Sequence, residues 1–288
     1  MGRQRRSLRE LVVVVTGGAQ GIGARTAAAL VRAGAKVVIG DLDQVLAEKT
    51  AAEVGGDTLA LPLDVTDIAG FTAFLDEVER RRGPIDVLIN NAGIMPLGTL
   101  EEEDDAKTRR QLEINLHAVI HGTREAVRRM RPRGTGHIVN VASMAGRAGF
   151  PGGATYCATK HGVVGLSESV RLELRGTGVE VSCVMPAVVR TELAAGIGEA
   201  KLIKSVLPEE VAAAIVDVLR RPRFDVFVPA TLSVMERIVR LLPRSAGEWV
   251  AHTLGGDQIL LSAAHSSARA GYEARAAESA PAADAERG

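Results

Sequence analysis

The sequence predicts an α/β fold: a doubly wound parallel sheet with helices on both faces. Three observations predict it. From residue 11 to about residue 230, short β-branched runs alternate with segments of helical apolar spacing. The first run leads through a glycine turn, Thr16-Gly17-Gly18-Ala19-Gln20-Gly21-Ile22-Gly23, into a helix. Gly17, Asp41, Asp64, Asn91, Ser143 and Pro186 each follow a predicted strand directly, where an open α/β sheet presents its ligand.

The 288 residues suffice for one large domain with a well-buried core. The reading is a flexible arm over 1–10, a sheet domain over 11–230, a helical appendage over 231–261 and a disordered tail over 262–288. The tail is expected because Ala, Ser, Glu and Arg dominate it. Net charge is zero and aromatics make up 3% of the chain, which excludes an electrostatic or base-stacking nucleic-acid surface. Cys157 and Cys183 have no metal-ligand or redox spacing and read as small core residues, which fits a reducing, cytoplasmic setting; no metal site is expected. No apolar run reaches the roughly 18 residues of a membrane span.

In order, residues 11–15 form an apolar strand and 24–33 the helix after the glycine turn. Gly17 permits the tight bend, Gly21 lets backbone approach a pyrophosphate, and Gly23 lets the helix sit close to the sheet. Amides at that helix start, from Gln20, Gly21 and Ile22, face the phosphates. Strand 36–40 ends at Asp41, whose carboxylate accepts hydrogen bonds from adenosine ribose hydroxyls and repels a 2′-phosphate; Leu42 follows where an NADP site would favour Arg. This argues for NAD. Asp43 is the better cap for the next helix. Strand 58–63 runs into Asp64-Val65, Asp67 caps helix 68–82, and strand 85–89 runs into Asn90-Asn91-Ala92-Gly93. A long helix over about 101–130 carries Asn115, a polar side chain in an apolar stretch that requires a partner. Strand 179–185 precedes Pro186-Ala187-Val188-Val189-Arg190-Thr191, and an Ala/Gly-rich, mobile segment over 192–207 leads to helix 208–219 and a last strand over 224–229. Residues 231–242 and 246–254 have helical apolar spacing with a basic face from Arg237, Arg240 and Arg244. That appendage packs on the domain or on a subunit neighbour; a substrate lid and a membrane-surface helix are the sharper alternatives.

The chemistry centres on residues 136–174. Strand 137–142 ends at Ser143, a Gly/Pro-rich loop follows, and a helix begins with Tyr156 and Lys160 one turn apart on one face. An ammonium beside a phenol lowers its pKa from about 10, making a general acid/base for an alcohol oxygen. Ser143 can donate a hydrogen bond to the same oxygen. Tyr-x-x-x-Lys alone is equally a surface pair on an ordinary amphipathic helix.

Together these residues resemble the short-chain dehydrogenase/reductase family over roughly 10–230. Its glycine turn matches Thr16 to Gly23, its aspartate motif Asp64-Val65, and its Asn-Asn-Ala-Gly motif Asn90 to Gly93. Its catalytic residues fall on Asn115, Ser143, Tyr156 and Lys160. Its nicotinamide-side loop falls on Pro186 to Thr191, with Ala187 replacing the usual glycine and Val189 and Thr191 holding the amide. The resemblance implies a Rossmann-like fold and hydride transfer between NAD and an alcohol or ketone. Tyr156 would move the proton, Lys160 would hold the nicotinamide ribose, and Asn115 would fix a relay water. It also implies a homodimer or homotetramer paired through the helices of Asn115 and Tyr156. A wall of Met95, Leu97, Met144, Ala148 and Phe150, with Arg147, suits an apolar or lipid-like substrate. The competing reading is a non-catalytic dinucleotide-binding sensor or scaffold.

Overall fold

The structure is a computed structural model that describes residues 5–198, 205–243, 245, 259–264 and 266–278. Its centre is a seven-stranded sheet in the order β3-β2-β1-β4-β5-β6-β7. The strands are β1 (Val12–Thr16), β2 (Lys36–Asp41), β3 (Leu59–Pro62), β4 (Val87–Asn90), β5 (Gly136–Val141), β6 (Val179–Pro186) and β7 (Asp225–Val228). Every pairing is parallel, with Val15 opposite Ile39 on one side and Ile89 on the other. Strand order reverses between β1 and β4, so the carboxyl ends of those strands open a crevice.

Side chains along each strand alternate between two apolar layers. Val13, Val15, Val37, Ile39, Val87 and Ile89 enter one layer. Val12, Val14, Val38 and Leu88 enter the other. Each fully buried aliphatic side chain contributes about 1.5–3 kcal/mol, so the continuous apolar runs specify a sheet covered on both faces. The covering helices are α1 (Gly21–Arg32), α2 (Gln44–Val54), α3 (Ile68–Arg82), α4 (Asp105–Leu112), α5 (Ala118–Met130), α6 (Ala154–Glu173) and α7 (Pro208–Arg220). Asp43, Asp67 and Asp104 cap α2, α3 and α4 by accepting from Leu46, Gly70 and Lys107 amides.

Several expectations are corrected. The helix expected over about 101–130 starts later, at Asp105, and runs unbroken to Met130 with a π-helical turn, Glu113–His117, between α4 and α5. Residues 5–10 are largely exposed but are anchored and not free. Leu8 is buried with the β1 and α1 core, and the Arg6 amide donates to the Arg220 carbonyl at 3.0 Å. Within 192–207, Glu192–Ala194 form a 3₁₀ turn and Val206 bridges to Val189; residues 199–204 lie outside the described residues.

The largest correction concerns the tail. Residues 262–264 and 266–278 are helical and packed, in α9 (Ile259–Ala264), a 3₁₀ turn (Ser267–Arg269) and α10 (Ala270–Glu278). Composition suggested disorder, but Leu260, Ala263, Arg269 and Ala276 are buried against the sheet domain. Residues 279–288, and the helix expected over 246–254, lie outside the described residues. α8 (Leu232–Leu241) is present and two-sided: Leu232, Met235 and Val239 face inward, whereas Val234, Ile238 and Leu241 are exposed. No described helix is long and apolar enough to cross a membrane.

Candidate active site

The carboxyl edge of the sheet opens into a cleft of about 1110 Å³. One end is built by the glycine turn. Gly17 has φ +62°, in the left-handed region where a side chain is strained, and a Cβ on Gly23 would stand 2.1 Å from the Gly17 carbonyl oxygen. Only glycine lets α1 begin that close to the turn. Gln20, at the N-cap, makes no side-chain cap, so the first-turn amides of α1 keep their capacity for an anion. Asn91 secures the turn from β4: its Nδ2 donates to the Thr16 and Gly17 carbonyls, both at 2.9 Å.

Asp41 lines the same end of the cleft. Its carboxylate accepts from the Ala19 amide at 2.9 Å and the Asp43 amide at 3.2 Å. Burial pushes its pKa up, and those two amides pull the other way. Asp64 accepts from the Thr66 amide and hydroxyl at 2.8 and 2.7 Å, which turns Asp64-Val65 along the cleft wall. Together these groups fit a dinucleotide: a helix start for the pyrophosphate, a half-buried acceptor for the ribose, and an apolar slot from Leu42, Leu63 and Val65 for the base.

At the other end stand Ser143, Tyr156 and Lys160. β5 delivers Ser143, which caps the 3₁₀ turn Met144–Gly146 by accepting from the Ala145 amide at 3.1 Å. That turn lies directly on α6; a Cβ on Gly146 would meet the Lys160 carbonyl oxygen at 2.6 Å. The close approach sets Ser143 and Tyr156 side by side on the cleft wall. Lys160 is buried, donates to the Val141 carbonyl at 3.0 Å, and holds its Nζ 5.6 Å from the Tyr156 ring centroid.

The electrostatics depart from the local rule. Burial pushes the Tyr156 phenol up to about 12, with Ser143 opposing, and pushes Lys160 down to about 8. Desolvation dominates at Tyr156, so burial favours the protonated phenol at neutral pH.

Ser143, Tyr156, Lys160, Gly17, Gln20, Gly21, Ile22, Asp41, Asp64, Val65, Asn91, Gly93, Pro186, Val189 and Thr191 all line this one cleft. Gly23 lies behind it as a packing residue. Asn115 lies behind it too and is fully buried. Its Nδ2 donates to the Ile94 carbonyl at 2.7 Å and the Thr159 hydroxyl at 3.4 Å, and its Oδ1 accepts from the Ile94 amide at 2.8 Å. That carboxamide is spent fixing the chain after β4, so it does not reach into the cleft. Ala187 has no need of glycine's freedom: the non-glycine residues with positive φ among those described are Glu10 and Asp57, and the Ala187 amide donates to the Val228 carbonyl at 2.8 Å.

The substrate side is apolar. Met95, Met144, Ala148, Phe150, Leu193 and Ile197 line it. Leu97 packs one layer behind, with Phe150. Arg147 reaches the wall, but Glu168 and Asp225 neutralise it at 3.2 and 2.9 Å. Sequence reading missed Leu260, Tyr272, Arg275 and Ala276, which line the cleft together with Leu232 and Met235 of the segment weighed as a lid. A faint signal existed: Tyr272, one of two tyrosines in the chain, shares helical spacing with Arg269 and Ala276.

Comparison with known proteins agrees with this geometry. The family model described as short chain dehydrogenase matches residues 11–202. A probable oxidoreductase, EphD, of Mycobacterium tuberculosis is 34% identical over 268 residues, covering 85% of this chain and 45% of the relative. The chain thus spans less than half the length of that relative. A 3-alpha-(or 20-beta)-hydroxysteroid dehydrogenase of Mycobacterium tuberculosis is 40% identical over 182 residues, 63% of this chain and 70% of the relative. A trans-4-hydroxycyclohexanecarboxylate dehydrogenase of Sinomonas cyclohexanicum is 39% identical over 206 residues, 68% of this chain and 79% of the relative. A crystal structure of a short-chain dehydrogenase/reductase from Burkholderia phymatum in complex with NAD superposes with a TM-score of 0.75 at 25% identity, covering 82% of this chain and 94% of that one. A glycine turn, an aspartate at the end of β2 and a serine–tyrosine–lysine cluster share one crevice, and the chain belongs to the short-chain dehydrogenase family of oxidoreductases.

Proposed function

We propose that the chain is an NAD-dependent oxidoreductase that interconverts an apolar alcohol and its ketone, with Tyr156 as general acid/base. The observation that carries this reading is the convergence of Ser143, Tyr156 and Lys160 on one apolar cleft whose far end holds Asp41. A bound nicotinamide would supply or accept the hydride. Gln20, Gly21 and Ile22 hold the pyrophosphate, Asp41 the adenosine ribose, and Val189 and Thr191 the amide. Asp41 favours NAD over NADP because its carboxylate repels a 2′-phosphate. Ser143 orients the substrate oxygen. Tyr156 gives that oxygen a proton in the reduction and takes it back in the oxidation. Lys160, the nearby buried cation, stabilises the phenolate that the transfer leaves behind.

The chain's Leu112 and Leu172, exposed on α4 and α6, support pairing into a homo-oligomer through those helices. A light-scattering mass equal to one chain would remove that part. The function itself is tested by following reduced-nicotinamide absorbance with NAD and NADP against cyclic and aliphatic alcohols, ketones and sterols. Turnover that prefers NAD and an apolar alcohol or ketone is expected. Tight dinucleotide binding with no turnover across the panel would point to a sensor instead.

A further inference from the structure

The C-terminal segment does more than roof the cleft. Arg269 is 1% exposed and donates to three carbonyls: Met95 at 2.6 Å, Leu193 at 3.0 Å and Ala195 at 3.0 Å. It also pairs with Glu273 at 3.1 Å, and Glu273 accepts from the Leu97 amide at 3.3 Å. One guanidinium therefore ties the loop after β4 to the loop after β6, the two walls that flank the substrate side. Above it lies Tyr272, with the Arg269 guanidinium carbon 4.9 Å from the ring centroid. The Tyr272 oxygen accepts from the Met95 amide at 2.7 Å. A phenol has one proton to donate as well as lone pairs to accept with. Among the described residues none accepts the Tyr272 proton, and the ring lines the cleft that also holds Tyr156. A half-buried phenol that faces the cleft with its proton unclaimed by the described residues offers that proton to a ligand oxygen.

We propose that Tyr272 is a specificity-determining residue: its hydroxyl donates a hydrogen bond to a second oxygen of the substrate, so the preferred substrate is an apolar ketone or alcohol bearing another oxygen besides the reacting one. This rests on the alcohol–ketone reading of the site. The placement is rigid because Arg269, Glu273 and the Met95 amide all fix the helix and ring, and a preorganised donor discriminates most strongly. An apolar wall rejects little on its own, but a fixed polar group aimed into it rejects the analogue that leaves it unpaired. Burial, with Met95 opposing, raises the Tyr272 pKa and keeps the phenol a donor throughout the working pH range.

The test compares probes matched in skeleton: cyclohexanone with 4-hydroxycyclohexanone, and 5α-androstan-3-one with its 17β-hydroxy derivative. The wild-type kcat/KM with NADH should favour the hydroxyketone of at least one pair by about tenfold or more. Tyr272→Phe should bring that ratio close to one, with the loss falling on the hydroxyketone. The ratio is measured on a single preparation, so it does not depend on how much of the variant folds. A ratio unchanged by Tyr272→Phe, or a wild type with no preference in either pair, overturns the proposal. If the wild type reduces no probe, the oxidoreductase reading fails, and calorimetric binding of the same pairs to the NADH-saturated protein decides this one. Binding selectivity for a hydroxyketone that Tyr272→Phe abolishes sustains it, and equal affinities sink it.

Discussion

Replacing Lys160 with Met isolates what its charge does for Tyr156. The Nζ stands 5.6 Å from the phenol ring centroid and is buried. With the phenolate charge taken as centred on the ring and an effective dielectric of about 20, the ammonium favours the phenolate by about 3 kcal/mol, which corresponds to roughly two pKa units. Met keeps the length of the stem and removes the charge. Oxidation of an alcohol needs the phenolate, so its rate rises with pH through the Tyr156 pKa. In Lys160→Met that rise should move up by about two units, and below it the rate should fall about a hundredfold. Reduction uses the protonated phenol and should lose much less at neutral pH. The assay is the pH dependence of kcat/KM in both directions at saturating NAD or NADH, with a deuterated alcohol showing that hydride transfer limits the rate. Equal loss at every pH, with no movement of the midpoint, would refute the electrostatic account and leave Lys160 a purely positional role.

The same burial has a price in stability. Lys160 falls from 10.5 to about 8 in the folded protein, so between those values the unfolded chain binds a proton that the native one has released. Stability due to this group therefore rises with pH across that window, and below it the buried ammonium costs about 3 kcal/mol. Lys160→Met should be the more stable protein in denaturant melts at neutral pH, with the gap closing in strong alkali; a gap constant with pH would contradict this. Tyr156→Phe should lower turnover by roughly 10²–10⁴-fold while leaving NADH affinity in place, as fluorescence titration would show. Asp41→Ala should erode the preference for NAD, and an unaltered NAD/NADP ratio would count against the ribose assignment. Gly23→Ala should weaken NADH binding severely, because its Cβ falls 2.1 Å from the Gly17 carbonyl oxygen; normal titration of that variant would show that the turn can yield.

The dinucleotide end of the cleft was legible because its residues are local. Gly17 to Gly23 is one turn, and Asp41, Asp64 and Asn91 each close a strand whose apolar run announces it. Tyr156 and Lys160 were legible for the same reason, as neighbours on one helix. What was lost depends on distant partners. Asn115 plainly needed a partner, but nothing local says that the partner is the Ile94 backbone. The burial that raises the Tyr156 pKa was not legible, because the walls that desolvate the phenol come from distant segments. The tail was read as unstructured because Ala, Ser, Glu and Arg carry little apolar area. What orders Arg269 is the set of carbonyls at Met95, Leu193 and Ala195, which no window around residue 269 contains. Leu8 was misread likewise, an apolar residue in a basic stretch whose socket is formed by elements further on.

The Arg269 staple also bears on how the protein is made. Translation delivers the glycine turn, both flanking loops and the reacting tyrosine long before it delivers the clamp that joins them. A nascent chain halted before residue 266 therefore has every part of the dinucleotide seat, yet the two walls on the far side have nothing to hold them together. The clamp can join those walls only after residues 266–278 have left the ribosome.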